Sequence, residues 1–207
     1  MNQMLSKKEK FKQLVESTDF FVCPICKSNL IIKNESLVCE NNHTFNINKK
    51  GFACLLKKQK DFSNNIDTKE LFINMRKVIL SNLYQAMHQE IVKFISADKK
   101  SKLNILDVGS GESTHSYLIN QNLNKQINFV VSDLSKQSIE LSTDYLSDGL
   151  IPIVCDAYNL PLKYNSIDYI LDILSPYYHK EINRVLKMMA ILLRFFQNVN
   201  ILINCVN

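Results

Sequence analysis

The residues best equipped for chemistry stand near the front of the chain. Cys23-Pro24-Ile25-Cys26 is followed, after twelve intervening residues, by Cys39, and after three more by His43. A Cys-x-x-Cys turn points two thiolates at one centre, and a second pair of ligands closes a tetrahedron. Thiolate and imidazole at this spacing suit zinc. With all four positions filled by protein, the predicted site is structural and not catalytic. A redox Cys-x-x-Cys would not require Cys39 and His43 at ligand spacing; scattered free thiols are the plainer alternative. Cys54, Cys155 and Cys205 lie outside the pattern and read as buried apolar residues.

A second cluster follows a short apolar run. Of four glycines in the chain, two fall in Ile105-Leu106-Asp107-Val108-Gly109-Ser110-Gly111-Glu112. The run reads as a strand, and the residues behind it open a helix. Glycine lets backbone approach a ligand closely, and a helix N-terminus favours negative groups. Asp133 closes the next apolar run, 24 residues after Gly109. A carboxylate there accepts hydrogen bonds from the two hydroxyls of a ribose. Asp156 closes the third run and is placed to accept from an adenine amino group. The order strand, glycine turn, helix, strand, acid predicts a nucleoside-type cofactor. A tight turn with two incidental acids is the alternative, because Gly-x-Gly alone is a weak signal. A dinucleotide fingerprint would carry a third glycine where Thr114 stands.

These residues need a scaffold, and the pattern supplies one. Apolar runs at 103–108, 128–132, 151–154 and 168–174 alternate with helical stretches at 112–122, 135–147 and 178–187. Such alternation predicts an α/β fold with a parallel sheet built from βαβ units, and Ser135 is placed as a helix N-cap. Ahead of it, residues 67–97 read as one helix, from apolar positions at three- and four-residue steps. Residues 20–58 form a Cys/His/Asn-rich module with strand-like pieces around Leu30-Ile31-Ile32 and Leu37-Val38, and 59–66 read as a polar linker. Residues 1–19 read as a charged helical leader. A module of this size buries too little apolar surface to fold unaided, and metal binding supplies the missing stability.

The chain has 207 residues, of which 46% are hydrophobic and 22% charged, an ordinary globular composition that excludes a fibrous or disordered protein. Its net charge of +5 is uneven: residues 1–102 hold 18 Lys/Arg against 10 Asp/Glu (net +8), and residues 103–207 hold 7 against 10 (net −3). The front half therefore faces an anion. Lysines outnumber arginines 22 to 3, which favours phosphate attraction by point charge over bidentate base reading. Neither a signal peptide nor a spanning helix is legible, so a reducing cytoplasm is expected, where clustered cysteines bind metal in preference to forming disulfides.

The order Asp-x-Gly-x-Gly, with the acid inside the strand, resembles motif I of class I S-adenosylmethionine methyltransferases. Their usual third glycine is Ser113 here, a departure expected to tighten the loop and weaken binding. Joined to the zinc module, the chain resembles the 23S ribosomal RNA guanine-N1 methyltransferases. The likeness rests on Cys23-Pro24-Ile25-Cys26, Leu30, Cys39, His43, Phe45, Lys49, Gly51, Phe52, Leu55-Leu56, Met75-Arg76 and Tyr84. It continues through the Leu106–Glu112 segment, Ser132-Asp133-Leu134-Ser135, Leu160-Pro161, Ser175-Pro176 and Glu181 to Lys187, and so covers roughly residues 20–187.

The resemblance implies a small zinc module ahead of an incomplete Rossmann-like methyltransferase sheet. Zinc would be held by Cys23, Cys26, Cys39 and His43, and S-adenosylmethionine by Tyr84, Asp107, Gly109, Gly111, Glu112, Asp133 and Asp156. Tyr84 fits core packing equally well. The substrate implied is a guanine N1 in a hairpin of 23S rRNA, with no membrane partner and with room for a homodimer. The RNA backbone is expected on Lys49, Lys50, Lys57, Lys58 and Lys60, for which a solvated face is the alternative. No general base is legible: Asp168 starts its strand at the wrong end, leaving Asp172 and His179 as weak candidates. A non-enzymatic zinc RNA-binding remnant and a small-molecule methyltransferase are the competing functions.

The last twenty residues break the pattern. After Lys187 a Pro/Gly-type turn and a fifth strand are expected, but the chain continues Met188-Met189-Ala190-Ile191-Leu192-Leu193 with no glycine, proline or acid to its end. Reading Lys-Met-Met-Ala-Ile one nucleotide earlier gives Lys-(Asn/Asp)-Asp-Gly. Residues 188–207 are therefore expected to be out of frame, leaving the fourth strand as an exposed apolar edge and the chain weakly stable and inactive.

Overall fold

The computed structural model describes residues 5–57, 68–175, 178–196 and 199–205. The expected linker at 59–66, Lys58, Lys60 and Pro176 lie outside the described residues. The chain opens with helix α1 (Lys7–Glu16), capped by the Ser6 hydroxyl, which buries Phe11 and Val15. Four short strands follow: β1 (Ile31–Lys33), β2 (Ser36–Val38), β3 (Thr44–Asn48) and β4 (Phe52–Cys54). Then come α2 (Lys69–Leu80), α3 (Gln85–Ser96), β5 (Lys102–Val108), α4 (Thr114–Asn120), β6 (Gln126–Asp133) and α5 (Lys136–Ser142). A 3-10 helix (Thr143–Asp148), β7 (Leu150–Val154), β8 (Ile167–Ile173), α6 (His179–Val185), β9 (Leu186–Phe196) and β10 (Val199–Cys205) complete the order.

The alternating stretches become the parallel strands β5 to β8, crossed by helices, and Ser135 caps α5 by accepting the Ser138 N–H. The helix expected over 67–97 is instead two. It breaks at Ser81–Tyr84, where Asn82 takes a left-handed φ of 66° that asparagine tolerates. The Ser81 hydroxyl also turns back onto the Val78 carbonyl.

The ten strands among the described residues join one sheet in the order β1-β2-β3-β4-β7-β6-β5-β8-β9-β10. Its middle, β7-β6-β5-β8-β9, is parallel, and its strand order reverses between β5 and β8, the switch point where doubly wound folds bind ligands. The zinc module is not an appendage. Its last strand, β4, pairs in parallel with β7 through Ala53↔Ile153 and Cys54↔Val154. Leu30, Leu37, Phe45 and Ile47 share one apolar core with Leu106, Val130, Ile151 and Leu162.

The tail corrects one expectation. β9 pairs in parallel with β8, so β8 is not an edge. The reason is that residues after Lys187 remain apolar enough to extend a sheet and carry no breaker. The pairing runs Ile167↔Leu186 and then Tyr169↔Ile191, so the register shifts just where the turn was expected and is absent.

Candidate functional site

The four zinc candidates converge. The ligand atoms of Cys23, Cys26, Cys39 and His43 all lie within 4.8 Å of one another. Cys26 Sγ and Cys39 Sγ are 3.7 Å apart, and His43 Nδ1 is 3.5 Å from Cys23 Sγ and 3.4 Å from Cys39 Sγ. Tetrahedral zinc with ordinary bond lengths demands separations of roughly 3.8 Å (S–S) and roughly 3.6 Å (S–N). The geometry therefore fits the ion. Two tight turns aim the ligands: the Lys27 N–H bonds the Cys23 carbonyl, and the Asn42 N–H bonds the Cys39 carbonyl. Lys27 and Asn42 take left-handed φ values of 64° and 60° to close them. Hydrogen bonds from Asn41 and Ser28 pull the Cys26 thiol down to about 5, favouring the thiolate that metal binding requires.

The second site is a cleft of about 430 Å³ at the C-terminal ends of the parallel strands. Val108 ends β5 at the cleft with Gly109 and Gly111 just beyond it, Ser132 and Asp133 end β6 with Leu134 beyond, Cys155 to Tyr158 follow β7, and Leu174 and Ser175 follow β8. Leu71, Phe72 and Met75 of α2 form its outer wall. Gly109, Gly111, Asp133 and Asp156, chosen from spacing alone, are thus brought together. Gly109 (φ 69°) has no room for a side chain, because a Cβ would stand 2.5 Å from the Ser175 Cβ. At Gly111 (φ 56°) a Cβ would meet nothing closer than Phe72 at 4.0 Å, so its missing side chain leaves space on the cleft side.

The loop is held by polar contacts. Asp133 Oδ2 accepts the Gly111 N–H at 2.9 Å, and Oδ1 accepts the Ser135 N–H at 2.7 Å. Asp156 Oδ1 accepts the Tyr158 N–H at 3.0 Å. Ser113, in place of the third glycine, has a left-handed φ of 67°. Its hydroxyl lies 2.8 Å from that of Ser142 and 3.1 Å from that of Ser110. Asp107 sits fully buried beneath the loop. One of its oxygens accepts from Ser116, and Oδ1 finds no hydrogen-bond partner among the described residues. Burial drives its pKa up to about 7.

The remaining predicted residues lie elsewhere. Tyr84 does not line the cleft; its ring packs edge-on against His115, with centroids 4.9 Å apart. The Glu112 side chain is buried and turned to Arg76 Nε at 2.7 Å. Asp168 occupies the opposite end of the sheet, paired with Lys100 and Lys187. Asp172 is buried against Arg194 Nε at 2.6 Å and the Ser175 hydroxyl at 2.6 Å, an arrangement suited to holding position. His179 begins α6 and contacts Asn183. Reading the sequence gave the α2 wall and Ser175 no role in the site, although Met75-Arg76 and Ser175-Pro176 stood among the residues that carry the likeness.

Gly-rich loop, acid-ended strands and switch-point cleft define a Rossmann-like methyltransferase site, and Asp133 and Asp156 lining a cleft with open space at Gly111 fit an adenosyl ligand, whereas Asp107 is buried beneath the loop and does not line the cleft. Comparison with known proteins agrees. Residues 99–205 match the model of a methyltransferase domain, and residues 21–63 match the RlmA N-terminal zinc ribbon. The chain therefore belongs to the methyltransferase-domain family, with S-adenosylmethionine and zinc as its cofactors.

It is 29% identical over 188 residues to the Bacillus subtilis (strain 168) protein named "Putative 23S rRNA (guanine-N(1)-)-methyltransferase YxjB", covering 84% of this chain and 63% of that one. The chain thus spans less than two thirds of that relative's length. Among solved structures, Haemonchus contortus phosphoethanolamine N-methyltransferase 2 aligns with a TM-score of 0.53 at 18% identity, over 67% of this chain and 36% of that one. A candidate S-adenosyl-L-methionine-dependent methyltransferase of Methanococcus maripaludis aligns with a TM-score of 0.51 at 22% identity, over 66% of this chain and 67% of that one. These two establish the fold.

Proposed function

We propose that the protein methylates guanine N1 in a hairpin of 23S rRNA, with residues 20–58 facing the RNA and 67–187 carrying the cofactor. The observation that carries the proposal is the junction of an RlmA-type zinc ribbon with the cofactor cleft through the β4–β7 pairing. The likeness to YxjB, whose name gives that reaction, supports it.

Bound in the cleft, S-adenosylmethionine supplies an electrophilic sulfonium methyl. In this reading the chain's residues orient the reactants. Asp133 accepts the ribose hydroxyls, Asp156 the adenine amino group, and the open side of Gly111 admits the methionine part. Holding guanine N1 in line with the methyl gives most of the rate by proximity. The base reaches the cleft only outside a stack, as bases in hairpin loops do.

All three arginines are spent on carboxylates: Arg76 on Glu112, Arg184 on Glu181 and Arg194 on Asp172. RNA phosphates therefore fall to lysines. Lys50 is engaged by Glu140, and Lys7 by Asp144. Lys33, Lys49 and Lys57 are exposed on the ribbon and form the proposed phosphate face.

The deciding experiment incubates the zinc-loaded protein, and beside it a version with the reading frame restored after Lys187, with labelled S-adenosylmethionine and 23S rRNA, then locates the label by mass spectrometry. Label at one guanine N1 is expected from the frame-restored version, with little or none from the chain as it stands. Label absent from RNA but present on small molecules overturns the substrate. The register surplus near Lys187 is where a shifted reading frame would enter; methyltransferase sequence in the adjoining frame of the coding DNA is the expected result.

A further inference from the structure

We infer that Arg76 is a positioning residue that latches α2, the outer wall of the cleft, to the glycine loop, so that cofactor affinity depends on a side chain that does not touch the cofactor. The inference rests on the reading of the cleft as the S-adenosylmethionine site.

Helix α2 contributes Leu71, Phe72 and Met75 to the cleft, yet only Phe72 and Ile79 of its side chains are buried. Leu71 and Met75 are each 44% exposed and Val78 is 47% exposed. Apolar packing alone holds this wall weakly, since stabilisation scales with the area removed from water.

Arg76 adds what packing lacks. Its Nε donates to Glu112 Oε2 at 2.7 Å, Nη1 to Asp144 Oδ2 at 3.1 Å and Nη2 to the Leu141 carbonyl at 3.1 Å. The guanidinium also lies 5.1 Å from the centre of the Tyr145 ring. Its main partner is fixed in turn. Glu112 is 2% exposed and accepts both the N–H (3.2 Å) and the hydroxyl (2.6 Å) of Thr114. The Thr114 hydroxyl also lies 2.6 Å from that of Tyr145.

Glu112 follows Gly111, whose N–H is held by Asp133. One connected path thus runs from the α2 wall to the carboxylate proposed to hold the ribose. Lysine cannot replace the fork: an ammonium is a point charge and does not present three donors in one plane toward three separate acceptors.

The test uses the full chain loaded with zinc. Arg76→Met, Arg76→Lys and Glu112→Gln are compared with wild type for S-adenosylmethionine affinity by calorimetry, well below each melting temperature. Amide exchange over residues 69–80 is followed with and without ligand. The expected result is a Kd raised at least about tenfold in Arg76→Met and Arg76→Lys, with zinc content unchanged. Ligand should slow α2 exchange in wild type and fail to do so in Arg76→Met. Arg76→Lys keeps the charge and the stem, so it serves if Arg76→Met does not fold.

A purely structural role would lower the melting temperature and leave the Kd of the folded variants within twofold of wild type, and that result overturns the inference. Failure of the wild type to bind is a distinguishable outcome: it overturns the cofactor reading, and this inference with it.

Discussion

Asp133 binds two backbone N–H groups at once, that of Gly111 at 2.9 Å and that of Ser135 at 2.7 Å. One carboxylate therefore closes the glycine loop and begins α5 while facing the cleft. Removing it costs the loop its clasp and, in the proposed reading, the ribose its acceptor. Hydrogen bonds to a charged group contribute about 1.5–3 kcal/mol each. Asp133→Ala is expected to weaken S-adenosylmethionine binding by about 30-fold or more in calorimetry. Asp133→Asn keeps one acceptor oxygen and should lie between. Unchanged affinity in Asp133→Ala would remove this residue from the site.

Asp107 gives the fold a pH signature. Its pKa rises from 3.8 to about 7 because burial disfavours the charge. A group whose folded pKa is raised binds its proton more tightly in the native state. Its stabilising contribution is complete below pH 3.8 and is lost as pH rises through 7. His115, whose pKa burial lowers to about 3, acts in the opposite direction below pH 6.5, so the contribution of Asp107 is read as a difference between two proteins. Relative to wild type, Asp107→Asn, neutral throughout, should gain melting temperature progressively between pH 5 and pH 8. Parallel profiles for the two proteins would contradict the assignment.

The parallel strands and the four zinc ligands were legible in the sequence because each has a local signature: apolar runs at βαβ spacing, and ligand types at fixed offsets. Gly109, Gly111, Asp133 and Asp156 were legible because strand ends in this topology converge on one crevice. What was not legible depends on distant partners. Nothing around Phe52-Ala53-Cys54 announces a strand that pairs with residues a hundred positions later. Glu112 sits beside the loop in sequence, but the reach of Arg76 decides which way its side chain turns. Tyr84, equally suited to core or cofactor by type, stands at the helix break beside Asn82 with its ring against His115, a placement that its residue type does not announce.

Sharing of core and sheet couples zinc to the whole chain. Leu37, Cys39 and Phe45 pack in the same cluster as Leu106 and Val108, and β4 borders β7. Structural zinc contributes apparent energies of about 10–16 kcal/mol in finger peptides. Chelation, or Cys39→Ser, should therefore melt the ribbon and also lower the midpoint of the methyltransferase half, with weakened cofactor binding. Circular dichroism with zinc quantitation checks this. A chelated protein whose sheet melts at the wild-type temperature would show the two parts to be independent.

Gly109 and Ser175 occupy one another's space. A Cβ at Gly109 would lie 2.5 Å from the Ser175 Cβ and 2.8 Å from its Oγ, on a backbone with φ of +69°. Two costs separate here. The left-handed backbone penalises any Cβ by roughly 1–2 kcal/mol, and the overlap adds about 1–3 kcal/mol. Only the second depends on Ser175. Gly109→Ala should therefore destabilise by about 2–5 kcal/mol in denaturant unfolding. Ser175→Gly alone should cost about 1.5–3 kcal/mol through its lost hydrogen bonds to the Asp172 carboxylate and the Val108 carbonyl. In the double variant the overlap vanishes while the backbone strain persists, so the two effects should fall short of additivity by about 1–3 kcal/mol. Strict additivity would mean that the loop moves away from Ser175 and that the φ alone excludes a side chain at this position.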